Sequence, residues 1–332
     1  MTCLHYHGKN PMRLARLAAV LVLATFVLAA AAQPYPARGI RLIVDTSPGG
    51  LTDLLARLTA EALSARVGQP VVVENKPGAS GNVAADLLIR SPADGYTLMV
   101  AAAGNLAVKP FLERSVPFDP FADLVPVINV ADAAHIFVVP ANLEAKDLAQ
   151  FIAYARANPG KVYYGSAGIG SPPHLSLELF SRLAGVTLVH IPYKGIGNAL
   201  PDMLAGRVQA MSISLGSALP YLKTGQIRPL AAAAKERLAG LPDVPTSAQA
   251  GLPGWEMSAW FAVFAPKGVP PDVVRLLNRH LQSALDDAKL RQRLLDLGAE
   301  PGGGSPESAS ERLWADHRLW GQVIRAAGIK LE

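Results

Sequence analysis

Three glycine-rich turns hold most of the chemistry that this 332-residue sequence offers. They are Ser47-Pro48-Gly49-Gly50-Leu51-Thr52-Asp53, Pro77-Gly78-Ala79-Ser80-Gly81-Asn82 and Gly165-Ser166-Ala167-Gly168-Ile169-Gly170-Ser171; Pro172-Pro173-His174 follows the last. Each lies between a β-rich run and a stretch with helical spacing. Glycine lets the backbone come close to a ligand, and the N–H groups of a helix's first turn attract an anion. A carboxylate, phosphate or sulfate suits such a turn, although a turn that only closes a strand–helix unit has the same composition. Several charge-assisted N–H bonds, each about 1.5–3 kcal/mol, support micromolar binding at roughly −8 kcal/mol. His174, one turn past the third loop, either donates to a ligand oxygen or bonds back to its own loop.

Other catalytic or cofactor patterns are missing. The third turn lacks the last glycine of G-x-G-x-x-G, and the strand that follows ends near His190, where a dinucleotide site needs an acid. There is no G-x-x-x-x-G-K-[ST] loop and no G-x-S-x-G elbow. His135, His190, His280 and His317 are scattered, without metal-ligand spacing. Asp286-Asp287 reads as a solvated pair on a surface helix. Trp255 and Trp260 suit either core or cleft, and Trp314 and Trp320 read as packing residues of the last helix.

Strands and helices that alternate must position these turns. The pattern predicts strands at 40–44, 71–73, 96–102, 124–130, 135–139, 161–166, 187–193, 208–214, 228–234 and 258–264. It predicts helices at 52–66, 81–90, 145–157, 172–184, 197–205, 271–286, 288–297 and 306–327. Nearly continuous apolar strands between helices imply parallel sheets covered on both faces. The length suits two domains, yet no long linker divides the chain. The expected arrangement is discontinuous, two strands crossing between lobes that hinge around a cleft.

Half of the residues are hydrophobic and 17% are charged, a globular composition. Net charge is +5, but residues 1–32 hold Lys9, Arg13 and Arg16 and no acid, which leaves +2 for the rest. That near-neutral balance argues against a nucleic-acid partner. Arg13 and Arg16 precede an uncharged run, Leu17–Ala32, that closes on Ala30-Ala31-Ala32. A basic start, apolar middle and small-residue exit read as a secretory signal peptide cleaved near Ala32. The run is short for a membrane span. Met12 is an alternative start. Cys3, the single cysteine, lies in the leader, so the exported chain has no disulfide, thiolate metal site or cysteine nucleophile.

Ten segments in order carry a family resemblance: YPARGIRLIV (35–44), PGGLTDLLAR (48–57), VGQPVVVENKPGASGN (67–82), SPADGYTL (91–98), VPFDPFADLVPV (116–127), ANPGKVYYGSAGIGSPPHLSLELF (157–180), HIPYKG (190–195), LPDVPTSAQAGLPGWE (241–256), APKGVP (265–270) and WGQVIRAAGI (320–329). Through them the chain resembles the Bug family, the extracytoplasmic solute-binding proteins of tripartite tricarboxylate transporters. The resemblance implies an α/β fold of two Rossmann-like lobes with a hinged cleft, a type II-like periplasmic binding protein of the Venus-flytrap kind. The domains implied are a signal peptide at 1–32, a discontinuous first domain at 33–133 and 254–332, and a second at 134–253. The resemblance further implies a small organic acid or amino acid ligand, no cofactor and no catalysis. A monomer is expected, with the membrane components of a transporter as partners.

Ligand contacts carry over where residues match. The Pro48-Gly49-Gly50 turn offers N–H groups to one carboxylate; Thr52 matches too, and Asp53 is expected to brace the loop. Ser166, Gly170, Ser171 and His174 face the ligand's other end. Tyr193 and Lys194 belong to a third segment, where Lys194 either neutralises a carboxylate or is simply exposed. Asp45, Thr46 and Ser47 stand where the family usually has a proline, an aromatic and a proline or small residue. Gly104-Asn105-Leu106 replaces a Ser-Thr-His type motif, Gln209 and Ser214 replace aspartates, and Asn198 replaces a common proline. The candidate ligand-binding set is therefore Asp45, Thr46, Ser47, Gly49, Gly50, Thr52, Asn105, Ser166, Gly170, Ser171, His174, Tyr193 and Lys194. Asp45 either pairs with an amino group, rejects a second carboxylate, or points to solvent or a helix cap. The expected role is capture of a small carboxylate in the periplasm for a transporter. The alternatives are an exported esterase- or dehydrogenase-like enzyme and a receptor that acts only in signalling.

Overall fold

β1 (Ile40–Val44) is an aliphatic run with Leu42, Ile43 and Val44 fully buried, and it starts a ten-stranded sheet. This computed structural model describes residues 35–78, 81–112, 116–193 and 195–329; the leader, the alternative start at Met12 and Lys194 lie outside the described residues. Gly39–Glu332 forms one unit.

Parallel partners flank β1: β2 (Val71–Asn75) on one side and β3 (Thr97–Ala102) on the other. α1 (Leu51–Val67) and α2 (Asn82–Ile89) make the crossovers. Beyond β3 the sheet turns antiparallel. β9 (Ser258–Pro266) pairs antiparallel with β3 and with β4 (Leu124–Pro140), and β10 (Glu300–Gly303) also pairs with β4. The C-terminal half of β4 then pairs with β7 (Ala210–Ser214) and β8 (Ile227–Ala232). Next to β7, β5 (Tyr163–Ser166) and β6 (Val189–Pro192) run parallel.

Two lobes thus share β4. It leaves the first lobe, and β9 returns beside it. Outgoing and returning strands run in opposite senses, so they pair antiparallel where all-parallel sheets were expected. At the crossing, His135 N–H donates to Met257 O (2.9 Å), Met257 N–H to Ala233 O (2.9 Å) and Ala233 N–H to His135 O (2.8 Å).

Two predicted strands, 124–130 and 135–139, are one. Ala131-Asp132-Ala133-Ala134 has weak β propensity, but pairing with β9 throughout and with β10 at Ala131 and Asp132 holds it extended. Two helices were not anticipated, α3 (Ala103–Leu112) and α7 (Leu215–Lys223). Each has a glycine near its start and an internal proline, Pro110 or Pro220, which suppress the helical signal. Both begin directly where a strand ends, and burial of Leu106, Ala107 and Val108 in one and of Leu215 and Ala218 in the other holds them.

α5 (Pro172–Ala184) follows β5, and α4 (Leu148–Ala157) and α6 (Ile196–Leu204) complete the second lobe. Asp147 caps α4 by accepting from Gln150 N–H (2.8 Å). α8 (Pro271–Leu285), α9 (Ala288–Asp296) and α10 (Pro306–Ala326) close the chain. Asp287, read as merely solvated, caps α9 by accepting from the N–H groups of Lys289 and Leu290 (both 3.0 Å); such caps contribute about 0.5–2 kcal/mol.

α10 serves both cores. Its Ala309 and Leu313 pack with Met99, Trp260 and Phe264 of the first lobe. Its Trp320, Val323 and Ile324 join the Phe137–Phe151–Phe180–Trp255 cluster of the second. Trp314 instead is 45% exposed and stacks on Phe121 at 4.0 Å. A separate cluster of Ile136, Val138, Met203, Met211 and Ile213 fills the opposite face of the second lobe's sheet.

Candidate functional site

Strand ends and turns of both lobes meet around a cavity of about 370 Å³. Asp45 and Thr46, just past β1, form one wall with Gly78 and Gly81 of the second glycine-rich turn. Asn105, Val108, Lys109 and Leu112 of α3 form another, and Ile169, Gly170, Ser171 and Pro172 close it from the second lobe. A narrower pocket shares Asn105, Val108, Gly170 and Pro172 and runs to Met257, Ser258 and Ala259 at the crossing.

Of the sequence-predicted residues, the structure brings Asp45, Thr46, Asn105, Gly170 and Ser171 to this cavity. Asp45 does not point to solvent or cap a helix: its Oδ1 is buried without a hydrogen-bond partner. Burial pushes the carboxyl up to about 6, against the pull of its own backbone N–H and of the Lys109 charge. Thr46 Oγ1 beside it is likewise buried and unpartnered. Lys109 is 4% exposed, and its Nζ donates to Asn82 Oδ1 (2.8 Å). Sequence reasoning missed Lys109 because it sits in a segment that gave no helical signal. The available clue was a lone cation at the end of the apolar run Leu106-Ala107-Val108. Gly78 and Gly81 belong to the second glycine-rich turn but lie outside the candidate ligand-binding set.

The other predicted residues that the structure describes lie outside this lining, and several of them brace their own loops. Ser47, Gly49 and Gly50 are exposed, Thr52 is buried in α1, and none of the four lines the cavity. Gly49 N–H was expected to meet a ligand carboxylate but donates to Asp53 Oδ2 (2.9 Å). Asp53 also accepts from Arg57 Nε (3.0 Å) and Asn75 Nδ2 (2.9 Å). Burial alone would raise this carboxyl, but the bonds from Arg57, Gly49 and Asn75 outweigh it and hold it at about 2.

The third turn is also self-satisfied. Gly168 N–H donates to Ser166 Oγ (3.0 Å), Gly170 N–H to His174 Nδ1 (2.9 Å) and Ser171 N–H to Gly168 O (3.2 Å). Pro172 and Pro173 have no N–H to give. Little of the expected anion grip remains at this helix start. Ser166 is fully buried, its Oγ 2.6 Å from His190 Nε2. His174 takes the second of its two readings and binds its own loop. Its ring stacks on His190 at 3.9 Å, which stacks on Tyr164 at 4.8 Å. Burial lowers both histidines to about 4, with the neighbouring His190 adding to the effect at His174. Tyr193 donates its hydroxyl to Asp202 Oδ2 (2.7 Å) and is raised to about 12 by burial and that bond.

Among the described residues no cluster of three His, Cys, Asp or Glu could hold a metal, and no helix is long and apolar enough to cross a membrane. The model of the tripartite tricarboxylate transporter family receptor matches residues 55–329. Protein BugT of Bordetella pertussis is 39% identical over 326 residues, 97% of this chain and all of that one. A solved structure of R. palustris Rpa4515 with adipate is 39% identical, covers 90% of this chain and 100% of that chain, and superposes with a TM-score of 0.77. MatC from Rhodopseudomonas palustris, with bound malate, is 32% identical, covers 87% and 100%, and has a TM-score of 0.71.

Proposed function

The chain belongs to the tripartite tricarboxylate transporter receptor family, and from that membership we propose that it captures a small carboxylate in the cavity between its lobes and hands it to membrane components of such a transporter. The observation that carries this reading is the cavity of about 370 Å³ walled by both lobes, with the buried ammonium of Lys109 in its lining. Taking a carboxylate out of water requires a compensating charge or several donors, and Lys109 provides the charge. Adipate and malate in two relatives fit the same ligand class. Asp45, Thr46, Asn105, Gly170 and Ser171 complete the proposed contact set.

In this reading the segments 33–133 with 254–332 and 134–253 move as two bodies about the crossing of β4 and β9. A ligand that touches both walls favours the closed arrangement because only there are all contacts made. Residues 1–32 act as the export signal, and the released chain works as a periplasmic monomer. Its role is binding and release.

Titration calorimetry with a panel of short-chain organic acids tests the reading. At least one acid is expected to bind, and to raise the melting temperature by mass action. Lys109→Gln is expected to weaken that acid about 10- to 100-fold, the equivalent of a charged hydrogen bond of about 1.5–3 kcal/mol. A panel that leaves both heat and melting temperature unchanged refutes it.

A further inference from the structure

Two adjacent residues of one cavity wall, Asp45 and Thr46, each carry a side-chain oxygen, Oδ1 and Oγ1, that is buried without a hydrogen-bond partner. Buried polar atoms in folded proteins are almost always satisfied, so each such exception calls for a physical cause. An ionised carboxylate oxygen can only accept, and a threonine hydroxyl can accept or donate. Among the described residues none hydrogen-bonds to either atom. Gly78 and Gly81 have no side chain, and the nearest cation in the lining, Lys109, already donates to Asn82.

The carboxyl also fits its setting closely. Gly81 has a φ of 92°, and a Cβ there would lie 3.1 Å from Asp45 Oδ2. This glycine meets both a left-handed backbone and the close approach of the carboxyl. Asp45 and Lys109 are the titratable residues that line the cavity among the described residues. They come from two elements, the end of β1 and α3, and they face the same space with opposite signs.

We propose, resting on the receptor reading above, that Asp45 and Thr46 form a donor-seeking subsite, which selects a carboxylate ligand carrying a hydroxyl or ammonium group at its other end over a plain dicarboxylate. One carboxylate takes the countercharge of Lys109. The distal donor meets the Asp45 carboxylate and the Thr46 hydroxyl. A second carboxylate in that place would face the Asp45 charge and be rejected as a like charge. A dicarboxylate therefore binds with uptake of a proton, and its affinity falls as pH rises through the range in which Asp45 ionises. A donor-ended ligand lacks that penalty.

The test uses ligands matched in length that differ only at one end: succinate, 4-hydroxybutyrate and 4-aminobutyrate, with adipate, 6-hydroxyhexanoate and 6-aminohexanoate as a longer set. Calorimetry on the intact protein at pH 7.5 is expected to show at least tenfold tighter binding of a donor-ended member in one set. Tightest binding of the amine assigns an ion pair with Asp45; tightest binding of the alcohol assigns a charge-assisted hydrogen bond without an ion pair. Asp45→Asn keeps the shape and should bring the preference over the dicarboxylate within threefold. Thr46→Val, a second variant, should weaken the alcohol more than the dicarboxylate. Circular dichroism melts establish that both variants fold. A wild-type preference for the dicarboxylate, or a ranking unchanged in Asp45→Asn, overturns the subsite and leaves the receptor reading standing. Binding of no member of either set, together with the failure of the broader acid panel, overturns both.

Discussion

Asp45 destabilises the free protein in a pH-dependent way that can be measured. Its carboxyl rises from an ordinary value of 3.8 to about 6 because burial disfavours the ionised form. The folded state therefore binds more protons than the unfolded state between those values, and stability falls as pH climbs through that window. Asp45→Asn should raise the stability of the ligand-free protein at pH 7.5 by roughly 1–3 kcal/mol, at about 1.4 kcal/mol per unit, and the gain should vanish near pH 4. Calorimetric melts across pH 4–8 check this; an equal gain at all pH values would point to a cause other than ionisation. Gly170 gives a second prediction at this scale. It has a φ of 73°, and a Cβ there would sit 2.7 Å from Leu112 Cδ1 across the cavity. Gly170→Ala should cost about 1–2 kcal/mol for the left-handed backbone and weaken ligand binding as Leu112 is displaced. Chemical denaturation and calorimetry measure the two effects separately. The family resemblance marked Gly170 and Asp45 as site residues, and the only hint of Lys109 was a lone cation at the end of an apolar run. Its place depends on α3 setting it beside Asn82, 27 residues earlier in the chain.

The element that most constrains the second lobe's turn is α5. Its first two residues are prolines, and its His174 accepts the Gly170 N–H, so the helix start anchors its own loop and has little left for a ligand. His174, His190 and His135 are each lowered from 6.5 to about 4, in every case chiefly by burial. Their neutral forms contribute stability that is fully present above pH 6.5 and is lost as pH falls toward 4, because the unfolded chain takes up these protons first. The melting temperature should therefore drop between pH 6.5 and 4, and His174→Gln should make that drop shallower. A slope unchanged in the variant would remove His174 from the account. The alternation of strand and helix that frames α5 was readable from periodicity. The fate of the N–H groups in the turn before it was not, because the groups that take them, Ser166 Oγ, His174 Nδ1 and Gly168 O, accept only once the turn has folded back on itself.

On the scale of the whole molecule, β4 and β9 carry the chain out and back, and α10 packs into the cores of both lobes. Asp132 on the crossing strand accepts from Asn129 (2.6 Å), from Ser258 (3.1 Å) and from Arg312 of α10. A closure about this crossing must therefore bend β4 and shift α10 together. X-ray scattering should show a smaller radius of gyration with a bound acid than without; identical profiles at saturation would mean that the ligand enters a preformed cavity. The sequence alone determined most of the strand–helix alternation, the three glycine-rich turns and the family, since periodicity, turn residues and segment order are properties of residues close together in the chain; it missed α3, α7 and β10. Only the tertiary structure decided that the sheet is mixed, that Gly49 and Gly170 spend their N–H groups on Asp53 and His174, and that Asp45 and Thr46 keep unpaired atoms beside Lys109. Pairing and loss of water depend on which distant residues arrive at the same place, and neighbouring letters do not encode that.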